Sequence, residues 1–245
     1  MNYQIAVTYR CNWACPHCCE LFGVLPSMGP ESDLTVEDVE LSGCILEEHG
    51  IEVGKCGLTG GEPTLVLNLA ELRTAVVRCW RPARRPRVFS NGTGGKGRGI
   101  RVSDAGAKAA KQYPIMVSPA DLGMEPVEGF GTPCWAQIRC GRYFDTFGFS
   151  GCPAAPSLGR LFGVDVHGTE PVMLTSRELC QHCIHTVGKR RMSLLSNAAV
   201  TKQIEYPTRT YREALERRRS EGDVRVKSFK ERLTGGSMRG RWSPC

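Results

Sequence analysis

The sequence predicts an α/β fold: a parallel sheet or barrel followed by a C-terminal cysteine-rich module. Three observations predict it. Runs of strand type alternate with helical patterns over residues 3–118, the rhythm of a parallel sheet or barrel. Each polar or cysteine-bearing motif of that region follows a strand-type run, and the C-terminal ends of strands form the ligand-binding edge of such folds. After Ser118 the rhythm stops, and Cys134–Cys183 is rich in Gly and Cys with little helical periodicity.

The elements follow in order. Tyr3–Thr8 reads as the first strand, with Cys11, Cys15 and Cys18 in the loop after it. A long loop with Gly23, Pro26, Gly29 and Pro30 leads to a first helix starting near Thr35. Thr35 and Asp38 are spaced as a capping box, and Gly50 supplies a stop. Lys55–Leu58 is the second strand, Leu67–Trp80 the second helix and Arg87–Phe89 the third strand. Ser103–Gln112 reads as a helix and Pro114–Val117 as the fourth strand. Ile138–Phe149 alternates β-type residues around Asp145-Thr146-Phe147-Gly148, a hairpin pattern. Further strands are sought in Val164–His167 and Val172–Leu174. Tyr206–Arg219 reads as a helix with Tyr211, Ala214 and Leu215 inward and Arg212, Arg217, Arg218 and Arg219 outward. The chain divides into a core over 1–125, a cysteine-rich module over 126–188 and a basic helical tail over 189–245. The end of that tail, from Gly235, is expected to be disordered.

Composition narrows the class. The chain has 245 residues and 13 cysteines. Its start, Met1-Asn2-Tyr3-Gln4, lacks the basic and apolar regions of a secretory signal, and no apolar run approaches the ~18–20 residues of a membrane span. A cytoplasmic protein without a membrane partner is expected, its cysteines serving metal or redox chemistry rather than disulfides. The net charge of +7 is uneven. From Lys189 onward there are 15 Lys and Arg against 6 Asp and Glu, which suits either a solvated helical face or an anionic partner.

The run Arg10-Cys11-Asn12-Trp13-Ala14-Cys15-Pro16-His17-Cys18 carries the chemistry. Three closely spaced thiolates can hold three irons of a [4Fe–4S] cluster and leave the fourth iron open. Gly60-Gly61-Glu62-Pro63 follows the second strand, Ser90-Asn91-Gly92 the third, and Ser118 the fourth. Glycines allow close backbone approach to a ligand, and a carboxylate pairs with an ammonium.

These four elements, in this order, resemble the radical S-adenosylmethionine (SAM) superfamily. The resemblance implies a partial (β/α) barrel of the radical SAM type, with the cysteine-rich module as its auxiliary-cluster domain. It implies that Cys11, Cys15 and Cys18 ligate the SAM-binding [4Fe–4S] cluster. It further implies that Gly60, Gly61 and Glu62 meet the methionine amino group, Ser90 and Asn91 the ribose, and Ser118 the carboxylate. His17 stands where the family usually has an aromatic residue, and its ring can still stack near the adenine. Cys19 and Trp13 read as packing residues.

Cys134, Cys140 and Cys152, followed by Cys180 and Cys183, resemble the twitch or SPASM module of that superfamily. By this resemblance Cys134, Cys140, Cys152 and Cys183 ligate a second [4Fe–4S] cluster, with Cys180 as the alternative fourth ligand. A Cys₄ zinc site is the competing reading of the same thiols. His182 and His185 flank Cys183 without ligand spacing.

The activity implied is reductive cleavage of SAM to a 5′-deoxyadenosyl radical, which abstracts a substrate hydrogen. Dehydrogenation or isomerisation of a small-molecule or nucleotide substrate follows, with a flavodoxin- or ferredoxin-type reductant as partner. Three alternatives stand beside it. One is a phage-type isomerase acting on an amino-acid adduct of hypermodified thymidine in DNA. Another is a peptide-modifying maturase. The last is a non-enzymatic zinc protein that binds nucleic acid, which leaves Gly60-Gly61-Glu62-Pro63 unexplained. Beyond the cluster, no catalytic acid or base is assignable from the sequence.

Overall fold

The computed structural model describes residues 1–15, 18, 20–22, 24–26, 28–94, 100–102, 116–126, 134–171, 177–200, 202–222 and 226–235. His17, Cys19, the helix expected over 103–112, the strand expected over 172–174 and the terminal residues 236–245 lie outside them.

A six-stranded, mostly parallel sheet organises the chain, in the order β4-β3-β2-β1-β5-β6. Its strands are β1 (Tyr3–Ala6), β2 (Lys55–Thr59), β3 (Arg84–Ser90), β4 (Ile100–Val102), β5 (Arg142–Asp145) and β6 (Gly148–Ser150). β1 lies parallel to both β2 and β5, and β5 turns back antiparallel into β6. The expected hairpin is therefore present, and it extends the core sheet along the far side of β1. Residues 1–125 and 126–188 thus share one sheet.

Helix α1 (Val36–Glu48) starts where the capping box is written: Thr35 and Asp38 cap each other reciprocally. The chain leaves it at Gly50, whose φ of 62° is left-handed. The second helical segment divides into α2 (Leu69–Ala75) and a π-turn, Val76–Trp80. That wider turn delivers Trp80 into the core, where its indole N–H donates to the Val39 carbonyl at 3.1 Å. α1, α2 and the π-turn cover one face of the sheet. Tyr3, Ile5, Leu58 and Val88 from the strands meet Val39, Leu46, Leu72 and Trp80 there, all buried. Each large side chain so buried contributes roughly 1.5–3 kcal/mol.

The remaining helices are α3 (Trp135–Cys140), α4 (Ala155–Phe162), the single turn α5 (Arg177–Cys180), α6 (Lys189–Val200), α7 (Arg209–Glu221) and α8 (Phe229–Gly235). A second core joins Leu158, Leu161, Leu179, Ile184, Met192, Tyr211 and Leu215 around the cysteines of the module. α8 returns to the main core: the Phe229 ring lies 5.2 Å from that of Phe144. The basic tail is consequently not an appendage, since α7 and α8 each insert apolar side chains between other elements.

Several expectations are corrected. Met116 and Val117 are buried but not in a strand; the fourth strand is Ile100–Val102, hidden in the sequence by the glycines just before it. Val164–His167 forms no strand, and only Gly168 bridges to Phe149. Arg218 points inward, its side chain 11% exposed and paired with Glu221 at 2.8 Å. Ile138 is in α3 rather than the hairpin, and is 69% exposed. Among the described residues no helix is long and apolar enough to cross a membrane.

Candidate functional site

The cysteine loop is built against the turn after β2. The Gly61 N–H donates to the Thr8 carbonyl at 2.9 Å, and the Glu62 N–H donates to the Arg10 carbonyl at 2.8 Å. Only glycine allows this contact. A Cβ on Gly61 would stand 1.9 Å from the Arg10 oxygen, and Gly60, at φ 118°, would bring one within 2.4 Å of the Thr8 oxygen. Asp33 holds the loop from the other side, accepting from the Thr8 hydroxyl at 2.6 Å and from Arg10 Nε at 3.0 Å. Arg10 also donates to the Leu65 carbonyl at 2.9 Å.

Glu62 is fully buried. Its Oε1 accepts from the Thr64 N–H at 3.1 Å, the Thr64 hydroxyl at 2.5 Å and the Ser90 hydroxyl at 2.7 Å. Its Oε2 accepts from the Asn91 N–H at 2.6 Å. The carboxylate therefore joins the ends of β2 and β3. Ser90 is committed likewise, since its oxygen also accepts from the Gly92 N–H at 2.9 Å.

Asn91 reaches the cysteine loop. Its side-chain amide donates to Asn12 Oδ1 at 2.9 Å, while its own Oδ1 accepts from the Thr93 N–H at 3.0 Å and hydroxyl at 2.7 Å. Asn12 closes the network by donating to the Thr93 hydroxyl at 2.8 Å. The sequence reading missed Asn12 and Thr93; an amide inside a cysteine motif was the available signal.

A hollow of about 310 Å³ opens over these strand ends. Cys11, Cys15, Cys18, Gly60, Gly61 and Asn91 line it. Trp13, Trp135, Cys140 and His185 line it as well. Glu62, Ser90 and Ser118 do not. Ser118 lies in the second core, its N–H donating to the Thr208 hydroxyl at 3.0 Å and its own hydroxyl 3.4 Å from His182 Nδ1. Burial, with the Glu20 carboxylate adding to it, pushes the Cys18 thiol up to about 11.

The later cysteines converge on a second, much smaller hollow of about 20 Å³. Cys134, Cys152, Cys180 and Cys183 line it, each at most 8% exposed. Cys140 does not. Residues six apart on a helix are rotated by about 240°, so Cys134 at the start of α3 and Cys140 at its end serve different hollows. Burial pushes the Cys152 thiol up to about 12, and Cys183 is raised well above its ordinary value by the same cause. Neighbouring thiols add to both shifts, Cys134 and Cys180 among them. Among the described residues no three Cys, His, Asp or Glu side chains are drawn into the shell of a single metal ion.

His185 and α3 separate the two hollows. The His185 ring lies parallel to that of Trp135 at 6.3 Å, and its Nδ1 is 3.3 Å from Cys183 Sγ. Burial alone lowers its pKa to about 4, so the ring is neutral at ordinary pH.

No family model and no curated protein matches the chain. Among solved structures it is similar to BtrN in complex with AdoMet and 2-DOIA, at 20% identity and a TM-score of 0.30, over 37% of this chain and 35% of that one. It is also similar to a selenomethionine form of BtrN in an open conformation, at 16% identity and a TM-score of 0.37, over 62% and 68% of the two chains. The chain therefore spans about a third of the length of the first.

Proposed function

We propose that this chain is a radical SAM enzyme that abstracts hydrogen from a small-molecule or nucleotide substrate. The observation that carries the reading is one hollow, lined by Cys11, Cys15 and Cys18 together with Gly60, Gly61 and Asn91. These residues come from the ends of three adjacent strands, where ligands bind in such sheets.

The donor set fits an iron–sulfur cluster. Three thiols line one hollow of about 310 Å³, the donor number that three-point ligation with an open iron requires. When bound, the cluster would supply the electron that cleaves SAM to methionine and a 5′-deoxyadenosyl radical.

The residues of the chain bind, orient and shield. Gly60 and Gly61 leave the backbone open to the amino acid part of SAM. Asn91 fixes the cysteine loop through Asn12, and Trp13 and Trp135 exclude water from the hollow. Glu62 acts by position: with four hydrogen bonds already accepted, it keeps the ends of β2 and β3 in register.

Cys134, Cys152, Cys180 and Cys183 would hold a second [4Fe–4S] cluster. All four donors are thiols around one small, closed hollow, and burial disfavours the free thiolates of Cys152 and Cys183 until a cation arrives. Four ligands leave no open iron, so the role of that cluster is electron transfer, and dehydrogenation or isomerisation of the substrate follows. The reductant would be a flavodoxin- or ferredoxin-type protein.

The test is 5′-deoxyadenosine formation, read by mass spectrometry on the anaerobically reconstituted, dithionite-reduced protein with SAM. Formation in the wild type, lost in Cys15→Ala, is expected. Iron and sulfide bound without any deoxyadenosine would sink the reading, and zinc in place of iron would favour a structural metal protein.

A further inference from the structure

A second concavity, of about 530 Å³, opens on the same sheet near the N-terminal ends of β1, β2 and β3. Lys55, Arg84, Arg85, Arg87 and Arg139 line it, and among the described residues no carboxylate does. Alternation puts Arg85 and Arg87 on one face of β3 but leaves Arg84 out of phase with them. A bulge brings Arg84 in. Lys55 pairs with Arg84, but Gly57 pairs with Arg87, so β3 carries one residue more than β2 between the two pairs. The extra residue re-aims the strand start. Pro86, buried at the bulge, has no N–H to leave unpaired there.

The arrangement is unfavourable without a counter-charge. Like charges held in one concavity repel, and low-dielectric walls focus their field outward. An anion relieves this, and planar guanidinium groups suit phosphate oxygens in pairs. The volume falls in the roughly 300–1,000 Å³ range of small-molecule sites, whereas a duplex needs an extended basic track.

Position completes the argument. Gln4, Phe89 and Cys140 line both this concavity and the hollow above the cysteine loop. The two spaces are therefore neighbours along one sheet face. A molecule anchored by its anionic end among the arginines would extend its other end past Phe89 toward Cys11, Cys15 and Cys18.

We propose that the basic concavity is the anchoring site for a phosphate or diphosphate group carried by the substrate, which makes the substrate a small phosphorylated molecule of nucleotide size. The substrate assignment rests on the radical SAM reading; the anion site itself does not.

Isothermal titration of the full, anaerobically purified chain tests it, with pyrophosphate, a nucleoside diphosphate and plain duplex DNA as probes at low and high salt. Pyrophosphate and the nucleoside diphosphate are expected to bind saturably. Binding should weaken about tenfold or more in R85Q/R87Q, where charge-assisted hydrogen bonds are lost. It should weaken less in R85K/R87K, which keeps the charge but loses the planar fork, and stay unchanged in R217Q/R219Q on α7. Circular dichroism checks the fold of each, and R139Q, on a different element, carries the test if R85Q/R87Q does not fold. No saturable pyrophosphate binding, equal weakening by R217Q/R219Q, or binding of DNA alone would overturn the proposal. The deoxyadenosine assay separates the two claims. Pyrophosphate binding without deoxyadenosine would leave the anion site and remove the radical reading; deoxyadenosine without pyrophosphate binding would do the reverse.

Discussion

The Ser90 hydroxyl donates to the Glu62 carboxylate at 2.7 Å in a place closed to water, so the Gly-Gly-Glu turn and the end of β3 are one unit. Glu62→Gln puts an N–H₂ group where only acceptors are wanted. At least one of the four donors then faces another donor. Such a buried mismatch costs about 1–3 kcal/mol. Urea denaturation should show a loss of that size. A variant as stable as wild type would mean that the carboxylate does not tie the strand ends together.

Gly61→Ala should be worse for the site than for the sheet. The new Cβ meets the Arg10 carbonyl at 1.9 Å, so the loop bearing Cys11 has to move. We expect about 1–3 kcal/mol of destabilisation together with loss of iron from the first site. Iron and sulfide analysis after reconstitution checks this. Full iron content in a folded Gly61→Ala would show that the loop is not held by this contact.

On the proposed reading Cys180, which lines the second hollow, serves there as a ligand in place of Cys140, which lines the first. Cys180→Ala should lower the iron of the second site and leave the first intact, while Cys140→Ala should keep the iron of both. Mössbauer or iron quantification on the two variants decides the matter. Iron lost from the second site in Cys140→Ala would restore the original ligand set.

His167 makes stability depend on pH. Burial would lower its pKa, but the charge and hydrogen bond of Asp145, with Asp165 beside it, outweigh burial and raise it to about 9. The imidazolium bridges Asp145 at 3.1 Å and Asp165 at 3.3 Å. A pKa raised on folding stabilises fully below the ordinary value near 6.5, and that contribution fades as pH climbs through about 9. Its full size is on the order of 3 kcal/mol. Asp165, lowered by hydrogen bonds from His167 and Arg232 that overcome its own desolvation, acts oppositely: its contribution holds above the usual carboxylate range and is lost in acid. Unfolding midpoints should therefore fall between pH 6.5 and 9.5 in the wild type, and much less in His167→Gln. Equal slopes in the two proteins would remove His167 from the account.

What the sequence could tell was local. Thr35 and Asp38 lie three apart, so their capping box is written in one turn, and the turn at Thr146-Phe147 is framed by strand residues on both sides. Gly60 and Gly61 mark a close approach wherever they occur. The failures are relations between distant segments. Nothing near Ile100 says that it pairs with Val88. Nothing near Ser118 says that Thr208 lies beside it. Nothing near Cys140 says that it lines a different hollow from Cys134. Arg218 read as solvent-facing because charge suggests it, although its long stem covers apolar neighbours.

The position of β1 sets an order of events during synthesis. It is made first, yet one of its two neighbours, β5, begins only at Arg142. While the ribosome makes the intervening residues, β1 can pair with β2 alone, and its other edge stays open to stray strands. A protein that emerges vectorially would thus finish the foundation of its cysteine loop only after more than half of the chain has appeared. The thiols on that loop gain their full support only once the hairpin has locked β1.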